Sequence, residues 1–489
     1  MVADDIATNR SIRETVIMSQ IFRPHARRGV ATATIALFAL LGGATEPLLA
    51  ADPQIVDAPS ASEAPPPAAK EEHAMAERPW YSLHIQGTFT NQAHPKFRSQ
   101  IPNGTQSMEA GRQTAETSDL TLYAGVRIGE VEFYFNPEME QGYGLSNTYG
   151  VAGYVSGEAY KVGQYAPYYR TPRLFGRYIL GLGGEEQTVE DGPNQIAGSH
   201  DSDNITVTFG KFGVTDIFDN NTYAHDPRSD FMNWSLIDMG AFDYAAEAWG
   251  YSYGAALEWN QGPWSLRGGM FDMSREPNVK YLERGFGQYQ VVTELERRYD
   301  LFANPGKIRV LYYLSSAKMG RFDEAVSFGE ANGATPATST VRHHHIKQGG
   351  GLNMEQQILP DLGSFLRLSM SDGSYESFDF TDITESVSGG FSMSGDRWGR
   401  PDDTVAIGGA VNAISKAAQR YFAAGGTGVV IGDGQLPSYA PEKLIEAYYK
   451  ATVVPGVQLT ADYQRATNPA YNTKRGPINF YGLRLHLAY

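Results

Sequence analysis

A two-residue period places Arg127, Arg177, Arg267, Arg309, Arg367 and Arg484 on one face of their segments. Lys450, Glu132, Glu258, Glu446 and Asp462 share that face. Each alone reads as a solvated wall residue. As a set, guanidinium donors interleaved with carboxylate acceptors could tune what polar solute passes along them. A second concentration of chemistry lies in residues 213–248, "GVTDIFDNNTYAHDPRSDFMNWSLIDMGAFDYAAEA". This stretch carries Asp216, Asp219, Asp226, Asp230, Asp238, Asp243 and Glu247, with Arg228 as its one Arg. An acidic loop opposite an Arg-bearing wall would set a transverse field across a narrow passage. Its rings are Phe218, Tyr223, Phe231, Trp234, Phe242 and Tyr244. Aromatic faces beside carboxylates and guanidiniums suit a sugar, which has apolar C–H faces and a polar rim; the same rings could equally pack the loop against a wall. The candidate solute-path residues are therefore the six arginines, Glu132, Glu258, Asp216, Asp219, Asp226, Arg228, Asp230 and Trp234.

Other chemistry is sparse. "VRHHHIKQ" puts His343 and His345 on one strand face, but no carboxylate accompanies them in sequence, so they read as an accessible rim cluster. There is no G-x-S-x-G, H-E-x-x-H or phosphate loop. Neither a catalytic residue, a metal site nor a cofactor is expected. Without cysteine there is no disulfide framework. A net charge of −15 lacks the basic footprint of a nucleic-acid binder.

The elements that must carry the charged face are strands. "NFYGLRLHLAY" sets Tyr481, Leu483, Leu485, Leu487 and Tyr489 against Gly482, Arg484, His486 and Ala488. That is an alternation of strand period, with one face for hydrocarbon and one for water. "YSLHIQGTF", "WGYSYGAALEWN", "LRLSMS" and "VQLTADYQ" repeat it. Trp249 and Trp259 bound one such set, as aromatic girdles bound the apolar band of a membrane barrel. A chain with 29 Tyr and 53 Gly favours strands and turns. Tight joins such as "RIGE", "NQGP", "LPDLG" and "VVPG" alternate with long segments at 91–118, 141–171, 213–248, 319–340 and 415–440. Short turns at one end and long loops at the other mark an outer-membrane barrel. The join at 184–203 is too long for that rule. "SKAAQRYFAAGGTG" reads as a short loop helix ended by Gly425 and Gly426. The tally is all-β: an antiparallel transmembrane barrel of about sixteen strands, wide enough for an aqueous channel. The 213–248 loop follows the fifth strand, where general porins fold a loop inward.

The N-terminus reads as a targeting segment. Arg23, Arg27 and Arg28 precede an apolar run, and small residues follow at Ala50 and Ala51, so residues 1–51 are expected to be a signal peptide, with Met18 as the start. Residues 52–79 are rich in Pro, Ala and charge and read as a disordered periplasmic linker. Residues 80–489 form the barrel.

Several segments resemble the OprB-type carbohydrate-selective porins of Gram-negative outer membranes: "GKFGVTDIFDNNTYAHDPRSDFMNW", "RWGRPDDTVAIGGAVN", "EKLIEAYYKATVVPGVQLTADYQRATNPAY" and "GLRLHLAY". The resemblance runs from about Tyr81 to Tyr489. It implies a sixteen-stranded barrel in the outer membrane that passes small sugars, such as glucose, by facilitated diffusion without a cofactor. Its partners would be outer-membrane lipid and sugar solutes; general porins favour a homotrimer, but the alternation fits a trimer and a monomer equally. A branch of the family associated with manganese supplies the rival cargo, Mn²⁺, which prefers oxygen ligands of the kind the acidic loop carries.

Overall fold

The structure, a computed structural model, describes residues 79–489 apart from Val162, Arg284 and Thr381. The expected signal peptide, and the linker up to residue 78, lie outside the described residues. The strands are β1 Tyr81–His94, β2 Gln113–Ile128, β3 Val131–Gly142, β4 Gln164–Val189, β5 Gly198–Phe212 and β6 Ser252–Gln261. There follow β7 Trp264–Asp272, β8 Tyr289–Leu301, β9 Asn304–Met319, β10 His343–Leu359 and β11 Leu362–Ser371. The last five are β12 Glu385–Ser394, β13 Thr404–Ala413, β14 Glu442–Val454, β15 Val457–Thr467 and β16 Ile478–Ala488. Each pairs antiparallel with its sequence neighbours, and β16 returns to β1 with Phe89 opposite Leu485, closing the barrel. Closure removes the unpaired edges that would otherwise be exposed to hydrocarbon.

The period of two holds around the wall. On β16, Tyr481, Leu483, Leu485 and Leu487 are exposed on the outside, whereas Arg484 and His486 are buried inside. The same outward set continues through Leu366 and Leu368 on β11, Leu459 and Tyr463 on β15, and Leu257 and Trp259 on β6. An Arg on this outer face at the bilayer midplane would cost about 2–4 kcal/mol, which fixes the register of every strand.

Two expectations about the elements are corrected. The segment 141–171 is not all loop: β4 begins at Gln164 and is 26 residues long, and with β5 it forms a hairpin that accounts for the long join at 184–203. Trp249 and Tyr251 do not extend the outward face of β6, which starts at Ser252. The chain turns inward before the strand: Tyr251 is buried, and Trp249 Nε1 donates to Tyr168 Oη at 3.0 Å.

Among the described residues, four α-helices decorate the loops: α1 Gly157–Lys161, α2 Trp234–Ile237, α3 Phe322–Asn332 and α4 Lys416–Ala423. The last is the short helix expected from sequence, started by Ser415 Oγ accepting from Ala418 N. The buried apolar cluster lies within the barrel, between the inner wall and the inserted loops. Phe218, Phe231, Trp234, Leu236, Met239 and Phe242 come from residues 213–251, and Phe365, Ala406, Ala410 and Leu444 come from the wall.

Candidate functional site

The inner wall carries its charges as cross-strand pairs, because residues directly opposite in register share a face. Glu258 on β6 faces Arg267 on β7, which faces Glu294 on β8; Glu296 on β8 faces Arg309 on β9. Arg267 contacts Glu258 at 3.0 Å, Glu294 at 2.8 Å and Glu296 at 3.1 Å. Arg309 continues the chain to Glu296 at 2.8 Å and Glu355 at 3.1 Å, and Lys307 reaches Glu355 at 2.9 Å. A second series crosses β2, β3 and β4, where Arg127, Glu132 and Arg177 stand in register and Arg127 meets Glu132 at 2.7 Å. Arg177 lies over the Tyr134 ring at 5.3 Å and donates to Asn194 O at 2.9 Å.

These two series meet at one cavity. It is about 420 Å³ and is bordered by Arg127, Glu132, Arg177, Glu258, Asp216 and Ile217, reaching Gln195 and Ile196 at the β4–β5 turn. Five of the candidate path residues are thus brought together, in a volume of the size that small-molecule sites occupy. A larger space of about 930 Å³ lies between the β1–β2 and β3–β4 loops against Asn103, Glu109, Arg112, Tyr143 and Tyr165. None of the candidate path residues borders it.

The loop at 213–251 joins β5 to β6 and sits inside the wall, held by groups from many strands. Arg367 on β11 donates Nε to Asp219 Oδ1 at 3.0 Å, and its two Nη atoms donate to Leu236 O, Asp219 O and Ala224 O at 2.7, 3.1 and 2.8 Å. Arg484 on β16 donates to Pro227 O at 2.6 Å and Asp230 O at 2.9 Å. Glu446 on β14 accepts from Met232 N and Asn233 N at 2.6 and 2.9 Å. Lys347 on β10 contacts Asp243 at 2.7 Å. The wall makes room for the loop with glycine: a Cβ on Gly363 would collide with the Tyr223 ring, and one on Gly408 would sit 3.2 Å from the Phe231 ring.

This docking corrects two expectations. Arg367 and Arg484 face inward, as the alternation requires, but they do not line a solvated path: they are 1% and 0% exposed and clamp loop backbone. The loop carboxylates do not face an Arg wall across a gap. Asp219 is 0% exposed against Arg367, and Asp216 takes both Nε and Nη2 of Arg173 at 2.8 and 2.6 Å. Burial pushes the Asp216 carboxyl up, but Arg173 outweighs it and holds the group below the usual range. Asp230 accepts from His225 N and Asp226 N at 3.1 and 3.2 Å, while Asp226 accepts from Arg228 N at 2.9 Å. Arg228 meets Glu158 of α1 at 3.2 Å and Tyr123 Oη at 3.2 Å. Trp234 packs in a stack of rings, 5.3 Å from Tyr154, 5.2 Å from Phe380 and 5.8 Å from Tyr244. Of the two roles open to the loop aromatics, Trp234, Phe218, Phe231, Phe242 and Tyr244 take the packing role.

Among the inward arginines that the sequence reading does not name, Arg170 and Arg173 show why alternation fails locally. Arg170 meets Glu138 at 2.7 Å and also pairs with Glu140. Arg173 holds Asp216 and lies 5.0 Å from the centre of the Tyr251 ring. They are three residues apart on β4, so strict alternation would put them on opposite faces. The β3–β4 register shifts between Asn136 and Glu138, and Pro137 and Pro172 sit in that irregularity. Proline has no N–H for the ladder and is tolerated at such bulges. Pro172 within the pattern is the signal that marks the switch.

The model of the carbohydrate-selective porin, OprB family, matches residues 105–489. Among solved structures, the high-pH structure of Pseudomonas putida OprB is similar, with a TM-score of 0.63 at 17% identity over 84% of this chain and 94% of that one. The outer-membrane channel DcaP of Acinetobacter baumannii gives a TM-score of 0.45 at 11% identity, over 84% of this chain and 97% of that one. A comparison with curated proteins finds no match.

Proposed function

This chain belongs to the OprB family of carbohydrate-selective porins, and from that premise we propose that it is a Gram-negative outer-membrane channel for monosaccharides such as glucose, constricted by the loop at 213–251. The observation that carries the reading is the cavity bordered by Arg127, Glu132, Arg177, Glu258 and Asp216. A sugar hydroxyl both donates and accepts, so it can exchange its water for a guanidinium on one side and a carboxylate on the other. Because Glu132 is held by Arg127, Glu258 by Arg267 and Asp216 by Arg173, these pairs offer hydrogen bonds without a strong net field. That suits an uncharged polar solute better than an ion.

Three of the loop carboxylates that an Mn²⁺ cargo could use are already engaged: Asp216, Asp219 and Asp243 are paired with Arg173, Arg367 and Lys347. The test is single-channel conductance of the refolded barrel in a planar bilayer, titrated with glucose and separately with Mn²⁺. Saturable block by glucose, weakened in the Arg127→Gln/Glu132→Gln double variant, is the expected result. Block by Mn²⁺ with none by sugar would overturn the reading, as would a folded barrel with no conductance.

A further inference from the structure

The histidines at the rim have a partner that the linear sequence hides. His343 and His345 occupy inward positions at the start of β10, with ring centroids 4.0 Å apart. The β9–β10 loop folds α3 back over them and brings Glu324. One ligand atom from each of Glu324, His343 and His345 lies within 4.8 Å of the other two.

Two details prepare the imidazoles. His343 Nδ1 is 3.0 Å from Val341 O, so Nδ1 carries the proton and Nε2 keeps its lone pair. His345 Nε2 is shielded from solvent and has no hydrogen-bond partner among the described residues, an arrangement that leaves a buried polar atom unsatisfied unless something binds it. His345 is also fixed from behind by the Tyr375 ring at 4.7 Å. The cation nearest the carboxylate is Arg321, with Nε 3.8 Å from Glu324 Oε1, too long for a hydrogen bond and easily displaced.

We infer that Glu324, His343 and His345 form a binding site for a divalent transition metal of the Zn²⁺ type at the long-loop rim of the barrel. Two imidazoles and one carboxylate are ligands that Zn²⁺ takes at about 2.0–2.2 Å, which sets tetrahedral ligand atoms about 3.3 Å apart. The exposed Glu324 and His343 side chains can close that difference by rotation. Three protein ligands leave a fourth position for water or a passing solute. Binding would tie α3, and with it the β9–β10 loop, to the wall. The other dense group, Glu138, Glu140 and Glu158, is already filled by Arg170 and Arg228.

The inference does not depend on the sugar reading. It is tested by titrating the purified full chain in detergent with Zn²⁺ against a fluorescent chelator, and separately with Mn²⁺. One Zn²⁺ per chain is expected, bound at least tenfold more tightly than Mn²⁺. His343→Ala, His345→Ala and Glu324→Gln should each weaken it by at least about 100-fold, since losing a ligand costs no less than the roughly 10- to 100-fold lost with a ligand's hydrogen-bond partner. His344→Ala, which changes the outward neighbour on the same strand, should leave it unchanged. All four variants should keep the wild-type conductance, which shows that the barrel is folded. Absence of Zn²⁺ binding would overturn the site. So would binding that survives loss of both inward histidines, or that is lost equally with His344.

Discussion

Replacing Arg367 with Met should loosen the inserted loop while leaving the barrel closed. Arg367 makes four hydrogen bonds to the loop, one to the Asp219 carboxylate and three to backbone carbonyls, and both side chains are at most 1% exposed. Removing one partner of a buried ion pair leaves a buried charge and costs about 3–5 kcal/mol. The cost falls on loop docking, because the β10–β11 and β11–β12 ladders are backbone bonds that do not use the side chain. At about 1.4 kcal/mol per tenfold, the undocked population should rise by roughly 150- to 5,000-fold. Asp219 also accepts from Met239 N at 2.6 Å, so that amide reports the release. Hydrogen exchange at Met239 should accelerate by that factor, with strand amides unchanged. Asp219→Asn in the same chain should recover part of the loss, because it removes the stranded charge. Exchange at Met239 accelerated by less than about tenfold would refute the reasoning: the loop would then be held by Arg484, Glu446 and Lys347 without need of this pair.

Two further outcomes follow from the same docking. His225 lies in the loop, where burial first and Arg367 second hold its imidazole below the usual value of about 6.5. The neutral ring therefore stabilises the docked loop above about pH 6.5, and that contribution is lost as pH falls through the lowered value; open-channel current noise should rise on acidification in the wild type and stay flatter in His225→Gln. Trp234→Ala should destabilise the loop by about 3–5 kcal/mol, read as exchange at α2, whereas Trp234→Phe should leave the glucose half-block concentration unchanged, since the ring packs against Tyr154 and Phe380.

Which side of the wall a residue faces was legible wherever the alternation ran unbroken. Leu483, Arg484 and Leu485 lie where the period of two puts them, and Arg267 and Glu258 share a face as read. The position of the inserted loop between the fifth and sixth strands was legible too, from the spacing of short and long joins. Legibility failed where the period was interrupted. The irregularity at Pro137 and Pro172 turned Arg170 and Arg173 to the same side, and the inward turn before Ser252 took Trp249 out of the girdle.

The sequence by itself determined the architecture, because an alternating strand has only one stable way to divide its faces between hydrocarbon and water. It could not determine what each inward charge does. Arg177 and Arg367 have the same type and the same parity, yet one borders a cavity and the other is sealed beneath loop backbone. The difference is made by which inserted segment covers the wall at that height. In the same way, Glu324 meets His343 and His345 only because the β9–β10 loop folds α3 back onto the strand. Parity is a local property carried by each pair of residues, whereas coverage depends on contacts between segments far apart in the chain, and only the tertiary structure brings those together.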